Sequence, residues 1–282
     1  IAMLNYSLYD RKRKIVRFKQ AGRGGIGRVF RDKKILALVV QYHGTRADSN
    51  NPVDLAKLQE TGLKLHHEII KNDDKQCNMR VIGTAHLNEI MNEFDLLPVK
   101  NFKYGSHPDA YKIHSKLFID QYMSPNKSDG CWYGCTMACA KVAENFLLKT
   151  GPYKGDRVPV DGPEYETVGG CGSNICLFDP HGIIEVNFYC DTYGIDTISF
   201  GTSLAFAMEC FEYGIITLEH TGGLDLTWGN FESTMEVLHQ MARGEGFGVL
   251  VGQGVKKMKE YFAANFGDRK STRLNSSHRI RS

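Results

Sequence analysis

Three cysteine thiols lie four residues apart in the segment DGCWYGCTMAC, at Cys131, Cys135 and Cys139. On a helix, residues with this spacing share one face and could converge on one metal centre. Zinc would need four Cys or His ligands, and the segment contains no histidine. A [4Fe-4S] cluster can take its fourth ligand from a distant part of the chain, which favours cluster chemistry. The alternative is that the cysteines pack as small buried apolar side chains.

Two carboxylates flank a glycine in the segment DTYGID, with Asp191 and Asp196 on either side of Gly194. This pattern predicts a tight turn between two helices. Carboxylates accept paired N–H donors, such as the 2-amino group and ring N–H of a pterin. Helix capping explains the same residues more simply, because Gly194 would end one helix and Asp196 would begin the next.

The segment AGRGGIG (21–27) formally matches the dinucleotide fingerprint G-x-G-x-x-G. A second strand is expected from Ile35, only about seven residues after Gly27, whereas a crossover helix needs at least ~10 residues. A dinucleotide site is therefore not expected. A turn of exposed N–H groups beside Arg23 could hold a phosphate or another anion, and a purely structural turn between strands explains the pattern equally well.

The elements that would position these residues follow from periodicity and from Gly and Pro. Strands are expected at KIVRFKQ (14–20) and ILALVVQ (35–41), on either side of the glycine turn. From about residue 52, apolar residues at helical spacing predict a helix with one buried face, formed by Val53, Leu55, Leu58, Leu63, Leu65, Ile69 and Ile70. The later expected elements are a loop with Pro98, Gly105 and Pro108, helix over 111–150 broken near Pro125, loop over 155–180, and helices over 181–192, 196–213 and 230–265.

Composition and charge exclude several classes of protein. The net charge is +3, of which +4 lies in the tail DRKSTRLNSSHRIRS (268–282), so the preceding residues carry −1. A near-neutral body argues against nucleic acid as a partner. The longest apolar runs fall far short of the ~20 residues that a transmembrane helix requires, so no membrane association is expected. The tail has no apolar period and is interpreted as artefactual.

The chain has eight cysteines and no secretory signal. We therefore expect a cytoplasmic location and no disulfide framework. None of its histidines occurs in a pair with the spacing of a metal motif, and none is predicted as a ligand.

Seven blocks in sequence resemble the tungsten- or molybdenum-pterin aldehyde:ferredoxin oxidoreductase family. They are AGRGG (21–25), LLPVKNF (96–102), the cysteine triplet, GPEYET (162–167), YCDTYGIDTISFGTSLAFAMEC (189–210), TGGLDLTWGN (221–230) and ARGEGFG (242–248). The resemblance implies an α+β chain with a remnant of an N-terminal β-rich pterin domain over 1–45, a mostly α-helical cluster- and pterin-binding region over 46–267, and the tail over 268–282.

The resemblance also implies site residues. Three cluster ligands would be Cys131, Cys135 and Cys139, although the first gap is three residues where the family usually has two. The remaining expected residues are Asp191, Gly194 and Asp196 on one pterin, Arg23, Gly24 and Gly25 beside pterin phosphate and its bridging magnesium, and Glu164 or Glu166 as the acid/base near the metal.

The implied activity is oxidation of aldehydes to carboxylic acids at a tungsten (or molybdenum) bis-pterin, with electrons passing through a [4Fe-4S] cluster to ferredoxin. Two alternatives are a tungsten-pterin aryl-CoA reductase-type subunit and a non-catalytic iron-sulfur electron-transfer protein. The oligomeric state is left open, with a homodimer as one candidate. The family's fourth cluster cysteine, second pterin-binding turn and catalytic histidine have no counterpart before Gly267, so the chain is expected to be an internal fragment that is inactive alone.

Overall fold

The computed structural model describes residues 1–10, 14–21, 24–39, 41, 43, 52–124, 129–131 and 134–266. These residues confirm the predicted α+β class, with two small antiparallel sheets and a mainly helical remainder. The strands are β1 (Leu4–Asp10), β2 (Ile15–Ala21), β3 (Val142–Leu147) and β4 (Arg157–Asp161). The described helices are α1 (Ile26–Asp32), α2 (Leu55–Lys75), α3 (Met79–Ile82), α4 (Leu87–Glu93), α5 (Ser115–Gln121), α6 (Tyr165–Cys171), α7 (Pro180–Tyr193), α8 (Thr197–Glu212), α9 (Leu218–Thr221), α10 (Phe231–Arg243), α11 (Gly246–Gly252) and α12 (Val255–Asn265).

An antiparallel hairpin of β1 and β2 begins the chain, with Leu4 opposite Ala21 and Asp10 opposite Ile15. The strand at β2 was predicted, and its partner β1 was not. The predicted second strand from Ile35 is wrong, because α1 follows the glycine turn and residues 35–39 form no strand. Gly24 and Gly25 have φ values of 83° and 76°. Glycine adopts this left-handed backbone without a steric penalty, which turns the chain from the strand into the helix.

Helix α2 confirms the helix predicted after residue 52, but its predicted buried face is wrong. Of its side chains only Asp73 is buried, and Leu58, Leu63 and Leu65 are 48%, 60% and 50% exposed. Asp73 accepts hydrogen bonds from the N–H groups of Met79 and Arg80 at 2.8 and 2.9 Å. This carboxylate therefore caps the start of α3 and ties the end of α2 to the rest of the chain.

The middle of the chain contains more sheet than predicted. Helix α5 lies within the stretch predicted as helical, but β3 replaces helix over Val142–Leu147. β3 pairs with β4, which together with α6 replaces much of the loop predicted over 155–180. The pairing buries Val142, Ala143 and Phe146 on β3. Long-range strand pairing thus overrides the local helical preference of this segment.

Helices α7 and α8 and the helical region α10–α12 confirm the predicted helices and form the main core. Tyr189, Phe200, Phe206 and Phe262 are fully or almost fully buried in it. Burial of each such side chain stabilises the fold by roughly 1.5–3 kcal/mol. None of the helices in the described ranges combines the length and the apolar composition needed to span a bilayer.

Candidate functional site

The turn between α7 and α8 has the capped geometry predicted from the sequence. Gly194 ends α7 with φ +70°, and the N–H of Ile195 donates to the carbonyl of Cys190 at 2.8 Å. Asp196 begins α8, where its side chain accepts from the N–H of Ser199 at 3.1 Å. The two capping residues fix the loop that separates Asp191 from Asp196.

The beginning of the chain lies along this turn. The N–H of Met3 donates to the carbonyl of Gly194 at 2.7 Å, and the N–H of Asp196 donates to the carbonyl of Ile1 at 3.1 Å. Asn5 donates from Nδ2 to the carbonyl of Asp191 at 2.8 Å. These bonds place the β1–β2 hairpin against the end of α7.

Helix α6 packs closely on α8 and carries the EYE segment to the same place. The backbones of Gly170 and Gly201 meet so closely that a Cβ on Gly201 would lie 2.2 Å from the Gly170 carbonyl oxygen. The hydroxyls of Thr167 and Thr197 are hydrogen-bonded at 2.9 Å across the same pair of helices. Glu164 precedes α6 as its N-cap residue. Two glycines therefore permit the approach that brings Glu164 near the turn.

These elements enclose a cavity of about 350 Å³. Its walls come from the hairpin, the end of β4, α6 and the α7–α8 turn. The lining residues are Met3, Tyr6, Lys19, Gln20, Cys131, Ala140, Asp161, Gly162, Glu164, Thr167, Asn187, Asp191, Asp196 and Thr197. The cavity thus gathers four carboxylates, one ammonium group and one cysteine from distant parts of the sequence.

Burial disfavours the charged form of two of the carboxylates. Burial raises the pKa of Asp191 well above its usual value, the charge of Asp161 raises it further, and Lys19 opposes the shift. Burial also raises the pKa of Glu164, against a hydrogen bond from the hydroxyl of Thr84 that lowers it. A carboxyl group with a raised pKa exchanges protons nearer neutral pH, so Glu164 is suited to acid/base chemistry.

The donors and acceptors of the cavity suit the edge of a pterin. The buried Nε2 of Gln20 has no hydrogen-bond partner among the described residues. A buried amide donor without a partner costs free energy, which a ligand acceptor would recover. The carboxylates of Asp191 and Asp196 can accept from a ligand that presents paired N–H groups. The polar groups of this cavity therefore fit a pterin.

The segment from Asp129 to Ala140 is here called the cysteine loop, and its described residues, 129–131 and 134–140, do not form the predicted helix. Its ends pair through hydrogen bonds between Asp129 and Ala140 at 3.0 and 3.2 Å. Cys131 is exposed and lines the cavity, whereas Cys135 and Cys139 are half-buried. Burial raises the pKa of the Cys139 thiol, and the nearby Glu164 raises it further.

The placement of the three thiols does not by itself fit a metal cluster. Within the described ranges, no three His, Cys, Asp or Glu side chains form a group that could hold a metal ion.

The cavity brings together Cys131, Glu164, Asp191 and Asp196 of the predicted site residues, and Gly194 forms the adjoining turn. Glu166 is exposed and lies outside the lining. Gly24 and Gly25 are exposed or half-buried with open space around them and do not line the cavity. Arg23 lies outside the described residues.

Several lining residues were missed by the sequence analysis. Asn187 lies four residues before Asp191, so helical spacing places both on one face of α7 and could have identified it. Its Nδ2 donates to the carbonyl of Asp161 at 2.6 Å. Lys19 and Gln20 carry no comparable signal, because only the docking of the hairpin brings β2 to the cavity.

Comparison with known proteins defines the class of this chain. The family model "Aldehyde ferredoxin oxidoreductase, domains 2 & 3" matches residues 60–270. The chain therefore belongs to the aldehyde ferredoxin oxidoreductase family.

Its relatives include proteins that are named for two different activities. The chain is 34% identical over 247 residues to a tungsten-containing aldehyde ferredoxin oxidoreductase of Pyrococcus horikoshii, covering 86% of this chain and 38% of the relative. It is 28% identical over 239 residues to the WOR-like subunit of an aliphatic sulfonate oxidoreductase of Pyrococcus furiosus, covering 83% and 35%. The chain thus spans little more than a third of the length of these relatives.

A solved structure supports the fold. The active site complex BamBC of benzoyl coenzyme A reductase in complex with 1,5-dienoyl-CoA matches with a TM-score of 0.62. The match covers 92% of this chain and 38% of that chain at 18% sequence identity. At this identity the similarity concerns the fold alone.

Proposed function

We propose that this chain is part of an enzyme that oxidises aldehydes to carboxylic acids at a tungsten (or molybdenum) bis-pterin and delivers the electrons to ferredoxin. In this reaction an aldehyde and water give a carboxylic acid, two protons and two electrons. The observation that carries the proposal is the convergence of Glu164, Asp191, Asp196 and the unpartnered Gln20 amide in one cavity. When bound, the metal-pterin supplies the two-electron acceptor.

The binding role belongs to the turn and the hairpin. Asp191 and Asp196 would accept hydrogen bonds from the donor edge of the pterin, and Gln20 would donate to an acceptor on it. Ionised Asp191 is disfavoured by burial in the free chain, so N–H donors from the ligand would stabilise its charged form. On the family resemblance, the residues proposed to lie beside pterin phosphate and magnesium are still Arg23, Gly24 and Gly25.

The acid/base role belongs to Glu164 in preference to Glu166. Glu164 lines the cavity and has a raised pKa, whereas Glu166 is exposed outside it. Its carboxylate would accept the proton released at the substrate carbon or water and pass it to solvent. Glu164→Gln should lower aldehyde oxidation by roughly 10²-fold or more, the usual contribution of a general acid or base, and Glu166→Gln should leave it unchanged.

That comparison is made with the complete open reading frame, by following reduction of ferredoxin or a viologen dye by aldehydes. Equal losses in the two variants, or full activity in Glu164→Gln, would remove Glu164 from the mechanism. Metal and pterin content is measured in each variant, so that a lost cofactor is not mistaken for a lost proton acceptor.

The cysteine loop is proposed as a cluster-binding segment on the family resemblance. Because the three thiols are not gathered in the described placement, the assignment of Cys131, Cys135 and Cys139 to a [4Fe-4S] cluster depends on a direct test. Cys135→Ser in the complete reading frame should abolish cluster absorbance and lower the iron content. Cys77→Ser is the matched control, since Cys77 is also half-buried but lies outside the loop.

The fold similarity to benzoyl coenzyme A reductase keeps an aryl-CoA reductase as the second candidate. Parallel assays with aldehydes, aryl-CoA thioesters and aliphatic sulfonates separate the three substrate classes represented among the similar proteins. A protein that contains iron but no tungsten, molybdenum or pterin would instead be a non-catalytic electron carrier. The division into regions 1–45 and 46–267 is retained as part of the proposal.

A further inference from the structure

A buried arginine joins three separate parts of the chain. Arg17 on β2 is 4% exposed, and its Nη1 donates to Asp10 at 2.9 Å and to Asp129 at 2.6 Å. Its Nη2 donates to Asp161 at 2.9 Å. The planar guanidinium holds several donors in fixed directions, which a lysine ammonium cannot reproduce.

Two of these carboxylates occupy positions that matter for the site. Asp129 forms the base of the cysteine loop through its paired backbone hydrogen bonds with Ala140. Asp161 lines the cavity and is followed by Gly162, whose N–H donates to the carbonyl of Lys141 at 2.8 Å. The guanidinium of Arg17 therefore bridges the base of the cysteine loop and the edge of the cavity.

The third carboxylate has a different position. Asp10 ends β1 and pairs across the hairpin with Ile15, so it contacts Arg17 from within the hairpin itself. Loss of Asp10 would remove one acceptor of the guanidinium and keep its contacts with Asp129 and Asp161. Asp10 and Asp129 thus form a matched pair, since both accept from Nη1 of Arg17 but Asp10 belongs to the hairpin and Asp129 to the cysteine loop.

We propose that Arg17 is a positioning residue that holds the base of the cysteine loop against the cavity through Asp129 and Asp161. The proposal rests on the proposed function only in taking the cysteine loop as the metal-binding segment. Without this tie, the loop separates from the cavity edge and its half-buried thiol Cys139 becomes accessible.

The test compares Asp129→Ala with Asp10→Ala, because removal of Arg17 would break three ion pairs at once and threaten the whole fold. The alkylation rate of Cys139 is measured by mass spectrometry in the native, metal-free protein. Cys77, half-buried at the end of α2, is the reference thiol in the same molecule. Asp129→Ala should accelerate alkylation of Cys139 about tenfold, the effect of weakening loop closure by ~1.4 kcal/mol.

Asp10→Ala should leave the Cys139 rate unchanged, and Cys77 should react at the wild-type rate in both variants. Equal acceleration of Cys139 in the two variants, simultaneous acceleration of Cys77, or no acceleration in Asp129→Ala would each overturn the proposal. Arg17→Lys, which keeps the charge but loses the bridging geometry, should behave as Asp129→Ala does.

The measurement is independent of cofactor loading, so it separates this proposal from the proposed function. If Cys135→Ser retains iron while Asp129→Ala still exposes Cys139 selectively, the positioning role stands and the cluster assignment fails. If Cys135→Ser loses iron but the two aspartate variants react alike, the cluster assignment stands and the role of Arg17 is refuted.

Discussion

The hydroxyl of Thr84 donates a hydrogen bond to the carboxylate of Glu164 and accepts one from the N–H of Tyr165 at 3.0 Å. One side chain before α4 thus orients the acid/base candidate and satisfies the first N–H of α6. Because a donor stabilises the ionised carboxylate, this bond opposes the rise in the pKa of Glu164 that burial causes.

Thr84→Val should therefore raise the pKa of Glu164 further. If Glu164 accepts the proton in catalysis, the acidic limb of the pH profile of kcat/KM should move to higher pH. Thr234→Val is the control, because the Thr234 hydroxyl also donates a hydrogen bond, but to the backbone carbonyl of Asn230 on α10, at 2.8 Å. A limb that stays in place in Thr84→Val, or moves equally in both variants, contradicts this role.

Asp191→Asn should stabilise the cofactor-free protein at neutral and alkaline pH. Burial raises the pKa of Asp191 in the folded chain, so stability is greatest below the unfolded-state pKa and is lost as pH rises through the folded-state pKa. The asparagine side chain of the variant carries no charge at any pH, so the variant should not lose this stability as the pH rises. Each pKa unit corresponds to about 1.4 kcal/mol, so thermal melts at pH 4 and pH 8 should resolve the difference.

The variant should gain Tm at pH 8 and show little gain near pH 4. Asp120→Asn, at an exposed position on α5, should change Tm at neither pH. A Tm gain of Asp191→Asn that is equal at both pH values would mean that the charge of Asp191 is not its cause.

The contact between α6 and α8 leaves no room for a side chain at Gly201. Gly201→Ala places a methyl group 2.2 Å from the carbonyl oxygen of Gly170 and should destabilise the protein by about 1–3 kcal/mol. Gly62→Ala, on α2 with nothing within 4 Å of the new Cβ, should instead stabilise by about 0.5–1 kcal/mol. Chemical denaturation measures the change in the free energy of unfolding for both variants. Equal effects would show that the helices are not in close contact.

The apolar face of α2 contributes little to the stability of this chain in the described structure. Leu63→Ala should lower the free energy of unfolding by less than about 0.5 kcal/mol, since Leu63 is 60% exposed. Leu204→Ala on α8, where the side chain is 0% exposed, should cost about 2–5 kcal/mol. A comparable cost for Leu63→Ala would mean that this face is covered in solution.

The sequence predicted the elements whose signals are local. Gly194 identified the last turn of α7, and Asp196 identified the first turn of α8, because caps depend on a few neighbouring residues. The helical period of α2 was also correct, but periodicity reveals only that a face is apolar and not what covers it.

The errors concern contacts between distant segments. β3 pairs with β4 over residues that favour helix locally. The sequence near Val142 gives no sign that its pairing partner is Asp161. The candidate site shows the same limit. The family resemblance supplied Glu164 together with Glu166, and the turn motif supplied both aspartates. Lys19 and Gln20 reach the cavity only because the hairpin docks on α7.

The cavity at the α7–α8 turn is proposed to bind a pterin, and a pair of helix caps tests this assignment. Asp196 and Asn230 are both N-cap residues that accept from the N–H of a serine three residues later, at 3.1 and 3.0 Å. Replacement of either by Ala should cost a similar ~1 kcal/mol of stability. Of these two residues, Asp196 lines the cavity and Asn230 does not.

The measurement is the pterin and tungsten content of the complete protein purified with Asp196→Ala or with Asn230→Ala. We expect the cofactor to be lost in Asp196→Ala and retained in Asn230→Ala. Equal cofactor content in the two variants would contradict the assignment of this cavity as the pterin site.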